Sequence, residues 1–297
     1  MSKLRGRKPE DRQRRLKMLL SGPAGVGKTT AASQMPRPYI IDTEQGSVHY
    51  GDMIEKSGGV VAELTDASEV IRELRSLITE KHDYATVVID PVTTLWEQAL
   101  AEGEQKVGTE YGKHYGWANN LFKRMCNLLT AIDMNVIVTA HEKDDFDTQV
   151  SAEGKAERVK VGVTYDGYKK LDYIFDLWCA LRRRSKNEPG SARIATVMKT
   201  RLDAFPDRDE FEWSYDALAK RYGRDGIEAK VETVTLASPE QVARLMNLIG
   251  RLSEDELGKL KLKKVATLQE SELSDMPAER IANGIELIES HFKNAAA

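Results

Sequence analysis

Cysteine is scarce: Cys126 and Cys179 are the two thiols in 297 residues, with no Cys-x-x-Cys spacing. That argues against a disulfide framework or a thiolate zinc site and fits a reducing compartment. Long apolar runs are missing too. Nothing approaches the roughly 18 residues of a membrane span, and the opening Met1-Ser2-Lys3-Leu4-Arg5-Gly6-Arg7 has no apolar stretch behind it. Neither a membrane protein nor a secretory leader is expected, and the expected location is the cytoplasm. Net charge is small, −3 from 44 Lys+Arg and 47 Asp+Glu. A surface basic all over is thereby excluded, so a nucleic-acid partner would have to be held by a local positive patch or by several copies together. Beyond Ala295-Ala296-Ala297 there is no low-complexity stretch, and there are no internal repeats.

What is present is enough apolar material for a large core. Hydrophobic residues make up 41% and charged residues 31%, a globular balance. The cations gather at one end: residues 1–17 hold Lys3, Arg5, Arg7, Lys8, Arg12, Arg14, Arg15 and Lys17 against Glu10 and Asp11. Such an arm can contact phosphates or be a solvated tail, and it has no aromatic ring to stack on a base. Short apolar runs at 16–20, 39–42, 59–62, 85–90 and 135–140 read as buried strands. Between them the spacing predicts helices from Gly27 to before Pro36, from Thr65 or Asp66 to about Glu80, and from about Trp117 to Asp133. Strands alternating with helices imply an α/β fold, a mainly parallel sheet with helices on both faces. Residues 143–170 are polar and glycine-bearing. The stretches 172–181 and 192–199 follow as strands with no long helix between them, the pattern of antiparallel edge strands. From Ser238 the chain reads as helical, opened by a Ser-Pro cap, with further helices from Ser253 and near Pro277. The expected organisation is a basic arm over 1–14, a core over 15–233 and a C-terminal helical module over 234–297.

The strongest signal is Gly22-Pro23-Ala24-Gly25-Val26-Gly27-Lys28-Thr29, followed by Thr30. It matches G-x-x-x-x-G-K-[ST] in full, with a strand before it and a helix after it. In such a loop glycines let backbone N–H groups turn inward around phosphate oxygens. Lys28 is expected to reach the β/γ-phosphates of ATP, and the Thr29 hydroxyl to hold Mg²⁺. The strand Ala85–Ile89 ends in Asp90, the pattern of the acid that binds Mg²⁺ directly or through water. Pro91 follows it, where many AAA+ motors carry a catalytic Glu, so the water-activating base has to come from elsewhere.

Ile41-Asp42-Thr43-Glu44-Gln45-Gly46 lies just past the second strand. Here the sequence resembles the RecA-like family, where a similar Asp-x-Glu supplies the carboxylate that orients the attacking water. The resemblance implies Glu44 as that base, with Asp42 the weaker alternative; a solvated strand-end acid is the bland reading. By position, though not by identity, His141 stands where RecA-like proteins place a polar γ-phosphate sensor. Lys199-Thr200-Arg201 is similar to the Lys-x-Arg that RecA-like hexameric helicases and recombinases extend into a neighbour's ATP site. The segment 15–215 as a whole looks like phage ATP-binding proteins of the RecA-like class, some of which act in single-strand annealing or recombination. The resemblance therefore implies an ATPase acting on single-stranded DNA in the host cytoplasm. It also implies a homo-oligomer, ring or filament, that completes each site; the C-terminal helices either bind a phage or host recombination protein or simply cap the core. DNA would be expected, by analogy, at two segments: Gly103–Trp117, with Lys106, Tyr111, Lys113, His114, Tyr115 and Trp117, of which Tyr115 and Trp117 could equally open a helix and pack on the core, and roughly Lys143–Lys170, where Lys143, Lys155, Arg158, Lys160, Lys169 and Lys170 are balanced by acids and make no obvious electrostatic track. A helicase loader or motor ATPase acting on a protein is the rival reading. A small-molecule kinase fits less well, because Arg182-Arg183-Arg184 is the sole tight arginine run available for a lid.

Overall fold

A computed structural model of the chain describes residues 15–150, 156–185 and 192–295. The arm expected over 1–14, Lys155 and the terminal alanines 296 and 297 lie outside the described residues. Ten strands are found among those described: β1 (Lys17–Ser21), β2 (Pro38–Asp42), β3 (Val60–Glu63), β4 (Thr86–Asp90), β5 (Asn135–Ala140), β6 (Glu142–Val150), β7 (Ala156–Tyr165), β8 (Leu177–Arg183), β9 (Arg193–Thr200) and β10 (Glu210–Glu212). Eight of them form one sheet in the order β10-β9-β8-β1-β5-β4-β2-β3, while β6 and β7 pair with each other as a separate ribbon. From β8 through β3 every pairing is parallel; β9 and β10 join antiparallel at one edge. This is the RecA-like P-loop α/β architecture expected from the sequence, with a helical region at its C-terminal end.

Period-two alternation explains why both faces are covered. Leu19, Val87, Ile89, Val136 and Val138 point to one side, where α3 (Ala67–Thr79), α4 (Val92–Val107) and α5 (Lys113–Ala131) pack. Met18, Leu20, Val88 and Ile137 point to the other, against α1 (Lys28–Ser33), α2 (Gly51–Lys56) and the segment 202–227. A third apolar cluster is built by Val242, Leu245, Leu248, Leu273, Ile281, Ile285 and Ile288 of the C-terminal helices. It is tied to the core by charge: the buried carboxylate of Asp275 accepts from Arg75 and, at 2.8 Å, from Arg124, and Lys123 reaches Glu272 at 2.6 Å.

Several expectations are corrected. The stretch from Gly103 to Trp117 is not one loop. Helix α4 runs through Gly103 to Val107, and α5 already begins at Lys113. Gly103 is a place where two helices cross, since a Cβ there would lie 2.8 Å from the His114 carbonyl. A glycine suggesting a loop in the sequence is thus a close helix–helix contact. Residues 171–174 form a helical turn, and β8 is parallel to β1, so the antiparallel edge begins one strand later, at β9. Strands β6 and β7 pair antiparallel as a hairpin, most of whose described residues are exposed. Two of the eight N-terminal cations are anchors and not part of an arm. Arg15 is buried, paired with Asp133 and donating to the carbonyls of Gly226, Ala229 and Lys230. The Lys17 ammonium donates to the carbonyls of Ile132 and Met134, both at 2.8 Å.

Candidate active site

The C-terminal ends of the parallel strands converge on one edge, as open α/β sheets require of their ligand sites. In register, Ser21 lies beside Ala140 and Ala180, and Asp42 beside Asp90. The loop Gly22–Gly27 leaves β1 and enters α1. Two of its glycines are sterically obligatory. A Cβ at Gly22 would lie 2.8 Å from the Leu181 carbonyl, and Gly27 takes φ +99° with the Arg193 guanidinium against it. A cleft of about 190 Å³ opens beside the loop, lined by Ala24, Gly25, Gly27, Lys28, Thr29, Asp42, Glu44, Gly46, Tyr50, Asp90, Pro91 and His141.

Lys28 turns back across the loop, donating to the carbonyls of Gly22 at 2.6 Å and Pro23 at 3.1 Å. Burial lowers its pKa, opposed by the carboxylates of Asp90, Glu142 and Glu44. Asp90 accepts from the Thr139 hydroxyl across from it on β5. Burial holds its carboxyl above the ordinary value, outweighing the Thr139 and Thr29 hydroxyls that favour the ionised form; Asp42 adds repulsion. The arrangement suits a group that bears its charge fully only once a cation is near. One buried carboxylate and one hydroxyl are the protein share that Mg²⁺ needs when phosphates and water supply its remaining ligands. Among the described residues no cluster of three His, Cys, Asp or Glu exists to cage a metal by protein alone.

The two carboxylates after β2 have separate employments. Asp42 closes the turn: its Oδ1 accepts from the amides of Glu44 at 3.0 Å and Gly46 at 3.3 Å, and its Oδ2 from that of Ser47 at 2.7 Å. Burial opposes its ionisation, but these bonds and the Ser47 hydroxyl win and hold its carboxyl below the usual range. Committed to three amides, Asp42 is a poor proton acceptor. Glu44 instead reaches into the cleft, accepting from the Thr94 hydroxyl of α4, with His141 Nε2 at 3.6 Å from its Oε1. Both side chains are about two-fifths exposed, at 41% and 43%. His141 itself is pinned by backbone. Its amide donates to Thr93 Oγ1 at 2.9 Å, and its carbonyl accepts from the Asp166 amide at 2.8 Å, at the base of the β6–β7 hairpin.

Lys28, Thr29, Glu44, Asp90 and His141 are therefore brought together, and Thr30 follows them on α1. Lys199 and Arg201 are not. They lie at the far end of β9, level with the start of β8, where Lys199 donates to the Phe175 carbonyl and Arg201 to the Tyr173 carbonyl at 2.5 Å, with Asp176 at 3.3 Å. Sequence reasoning missed three neighbours of the site. Glu142, next after His141, lies near enough to Lys28 for their charges to act on each other, and burial raises its pKa. Arg183 and Arg193 lie against the P-loop backbone, at 2.6 Å from the Gly25 carbonyl and 2.8 Å from that of Val26. The arginine run 182–184 was the visible signal for the first of them, but nothing in sequence tells which of three consecutive arginines faces the loop.

A family model described as an AAA domain matches residues 14–204 of the chain. No curated protein matches it. Among solved structures it is similar to a prototypical ATPase from the type III secretion system of pathogenic bacteria, at 12% identity and a TM-score of 0.38, over 93% of this chain and 79% of that one.

Proposed function

The chain belongs to the AAA domain family and is a P-loop ATPase, and from that premise we propose that it hydrolyses ATP while bound to single-stranded DNA, in recombination or annealing of the phage type. The observation that carries the reading is the continuity between cleft and hairpin. His141 lines the nucleotide cleft, and the next residue, Glu142, begins β6. On the hairpin, Phe146 is exposed with the Arg158 guanidinium 4.4 Å from its ring centre, and Lys160 is the cross-strand partner of Phe146. Lys160 is paired with Asp144 at 2.6 Å, so it is the ring with Arg158 beside it that suits a stacked base and its phosphate. Tyr111, fully exposed between α4 and α5, offers a second stacking surface.

In this reading the inward amides of Gly22–Gly27 hold the phosphates, and Lys28 exchanges its two carbonyl partners for phosphate oxygens. Thr29 and Asp90 hold Mg²⁺, which when bound neutralises charge building on the phosphates. Glu44 accepts the proton of the water that attacks the γ-phosphorus, giving ADP and inorganic phosphate. Thr94 and His141 keep its carboxylate aimed. His141 carries the presence of the γ-phosphate to the hairpin through its amide and carbonyl bonds. Lys199 and Arg201 act on the neighbouring subunit's site in a ring or filament, exchanging their bonds to 173–176 for the developing charge there. The core over 15–233 carries this chemistry, and the helices over 234–297 form a module for a recombination partner. The test is anisotropy of a labelled oligonucleotide at low salt with a non-hydrolysable ATP analogue. Wild type should bind single strands, with the Phe146→Ala/Arg158→Ala pair at least tenfold weaker. Equal binding by both would remove the hairpin from the reading, and no binding by wild type would favour a protein client, as for a helicase loader.

A further inference from the structure

We infer that Arg183 and Arg193 are positioning residues that hold the phosphate-binding loop in its working shape from within the same subunit, an inference that rests on the loop binding ATP. The two are directly opposite in the β8–β9 register. Like charges so placed destabilise a strand pair, so a hairpin built for stability alone would not choose them. Arg182 of β8 and Arg184, just past its end, are each paired with an acid of β10: Glu210 at 2.9 Å and Glu212 at 2.8 Å. Arg183 and Arg193 turn to the P-loop, where Nη2 of the first donates to the Gly25 carbonyl and Nε of the second to the Val26 carbonyl.

The consequence is stereochemical. In a trans peptide the N–H points opposite to the C=O. Drawing the Val26 carbonyl out toward Arg193 therefore turns the Gly27 amide to the opposite side. The Val26 amide, opposite the Gly25 carbonyl, instead donates to the Pro23 carbonyl at 3.3 Å, so there Arg183 braces the turn itself. The motif's last glycine is required by its backbone, at φ +99°, and it leaves the space in which the Arg193 guanidinium lies.

The test uses the full chain and ADP, titrated calorimetrically, with AMP measured by competition. Arg193→Gln should weaken ADP about tenfold, the loss of one charged hydrogen bond. Arg183→Gln, at a more exposed contact, should weaken it less. Arg182→Gln, which removes a cation one residue away, should stay within twofold of wild type. Because the Arg193 clamp acts on an amide that faces the phosphates, the ratio of ADP to AMP affinity should fall in Arg193→Gln while the unfolding midpoint of the nucleotide-free protein is not lowered. ADP binding by Arg193→Gln equal to wild type overturns the inference. So does an equal loss for ADP and AMP with a lowered midpoint, or a loss as large in Arg182→Gln. A wild-type protein that binds no ADP would refute the ATP-site reading and the clamp with it.

Discussion

Glu44 and Asp42 are two residues apart on one turn, and their hydrogen bonds divide their roles. Three amides saturate Asp42, which leaves Glu44 as the acid with a free approach to the cleft. Glu44→Gln keeps shape and the Thr94 contact but cannot take a proton. It should retain ATP affinity and lose turnover by about 10²–10⁴-fold; steady-state ATPase beside calorimetric ATP binding reads both, and surviving turnover would place the base elsewhere. Lys17 gives a second prediction at this scale. Burial brings its ammonium down to about 7, a shift that Asp133 offsets only in part. Unfolded chains keep a lysine protonated to roughly pH 10. Between those values the native state binds fewer protons than the unfolded one, so stability rises with pH. The urea midpoint should therefore climb from pH 7 to pH 9 in wild type, and the climb should vanish in Lys17→Met; parallel profiles would contradict the shift.

The elements differ in how plainly the sequence shows them. Buried parallel strands such as 86–90 and 135–140 are continuous apolar runs, and each is found within a residue of its expected place. Helix α4 was hidden because its apolar positions are sparse and Gly103 interrupts them for the sake of a crossing that only the tertiary structure reveals. The β6–β7 hairpin was partly visible: Arg158-Val159-Lys160-Val161 alternates as a strand should, but with both faces exposed the apolar half had no core to point to. The contact between the C-terminal helices and the core rests on long-range charge. Asp275 sits fully buried between Arg75 and Arg124, which come from α3 and α5. Nothing local announces such a partner 151 residues away. Removing that carboxylate strands two arginines, and Asp275→Ala should cost about 3 kcal/mol in urea unfolding, with protease cleavage appearing between residues 228 and 238. Unchanged stability would mean the helices are held by their apolar contacts alone.

For the whole molecule, the site was legible where chemistry follows from local spacing, as in Gly22–Thr29 and Asp90, and illegible where it follows from strand register. Arg193 is 166 residues from Gly27 in sequence, and the antiparallel turn of β9 places it on the loop while carrying Lys199 and Arg201 to the opposite end of the sheet. That distance makes oligomerisation the condition for Lys199 and Arg201 to act. Mixing Arg201→Ala with Lys28→Ala, each inactive alone, should restore part of the ATPase, since some interfaces then join an intact P-loop to an intact arginine. No recovery at any ratio would argue against action across subunits. The charge arithmetic fits the proposal: with Arg15 buried and Lys17 half-buried as anchors, the proposed DNA contact falls to small sites such as Arg158 beside Phe146, repeated from copy to copy.

The central claim is that one cleft hydrolyses ATP and that the hairpin rising from it answers to DNA. ATPase rate measured with and without single-stranded DNA, at fixed low salt, tests it most directly. Single-stranded DNA should stimulate the wild type, the stimulation should be lost in Phe146→Ala/Arg158→Ala with the basal rate intact, and Glu44→Gln should show no turnover under either condition. A rate indifferent to single-stranded DNA, or stimulation that survives loss of the hairpin residues, would contradict it.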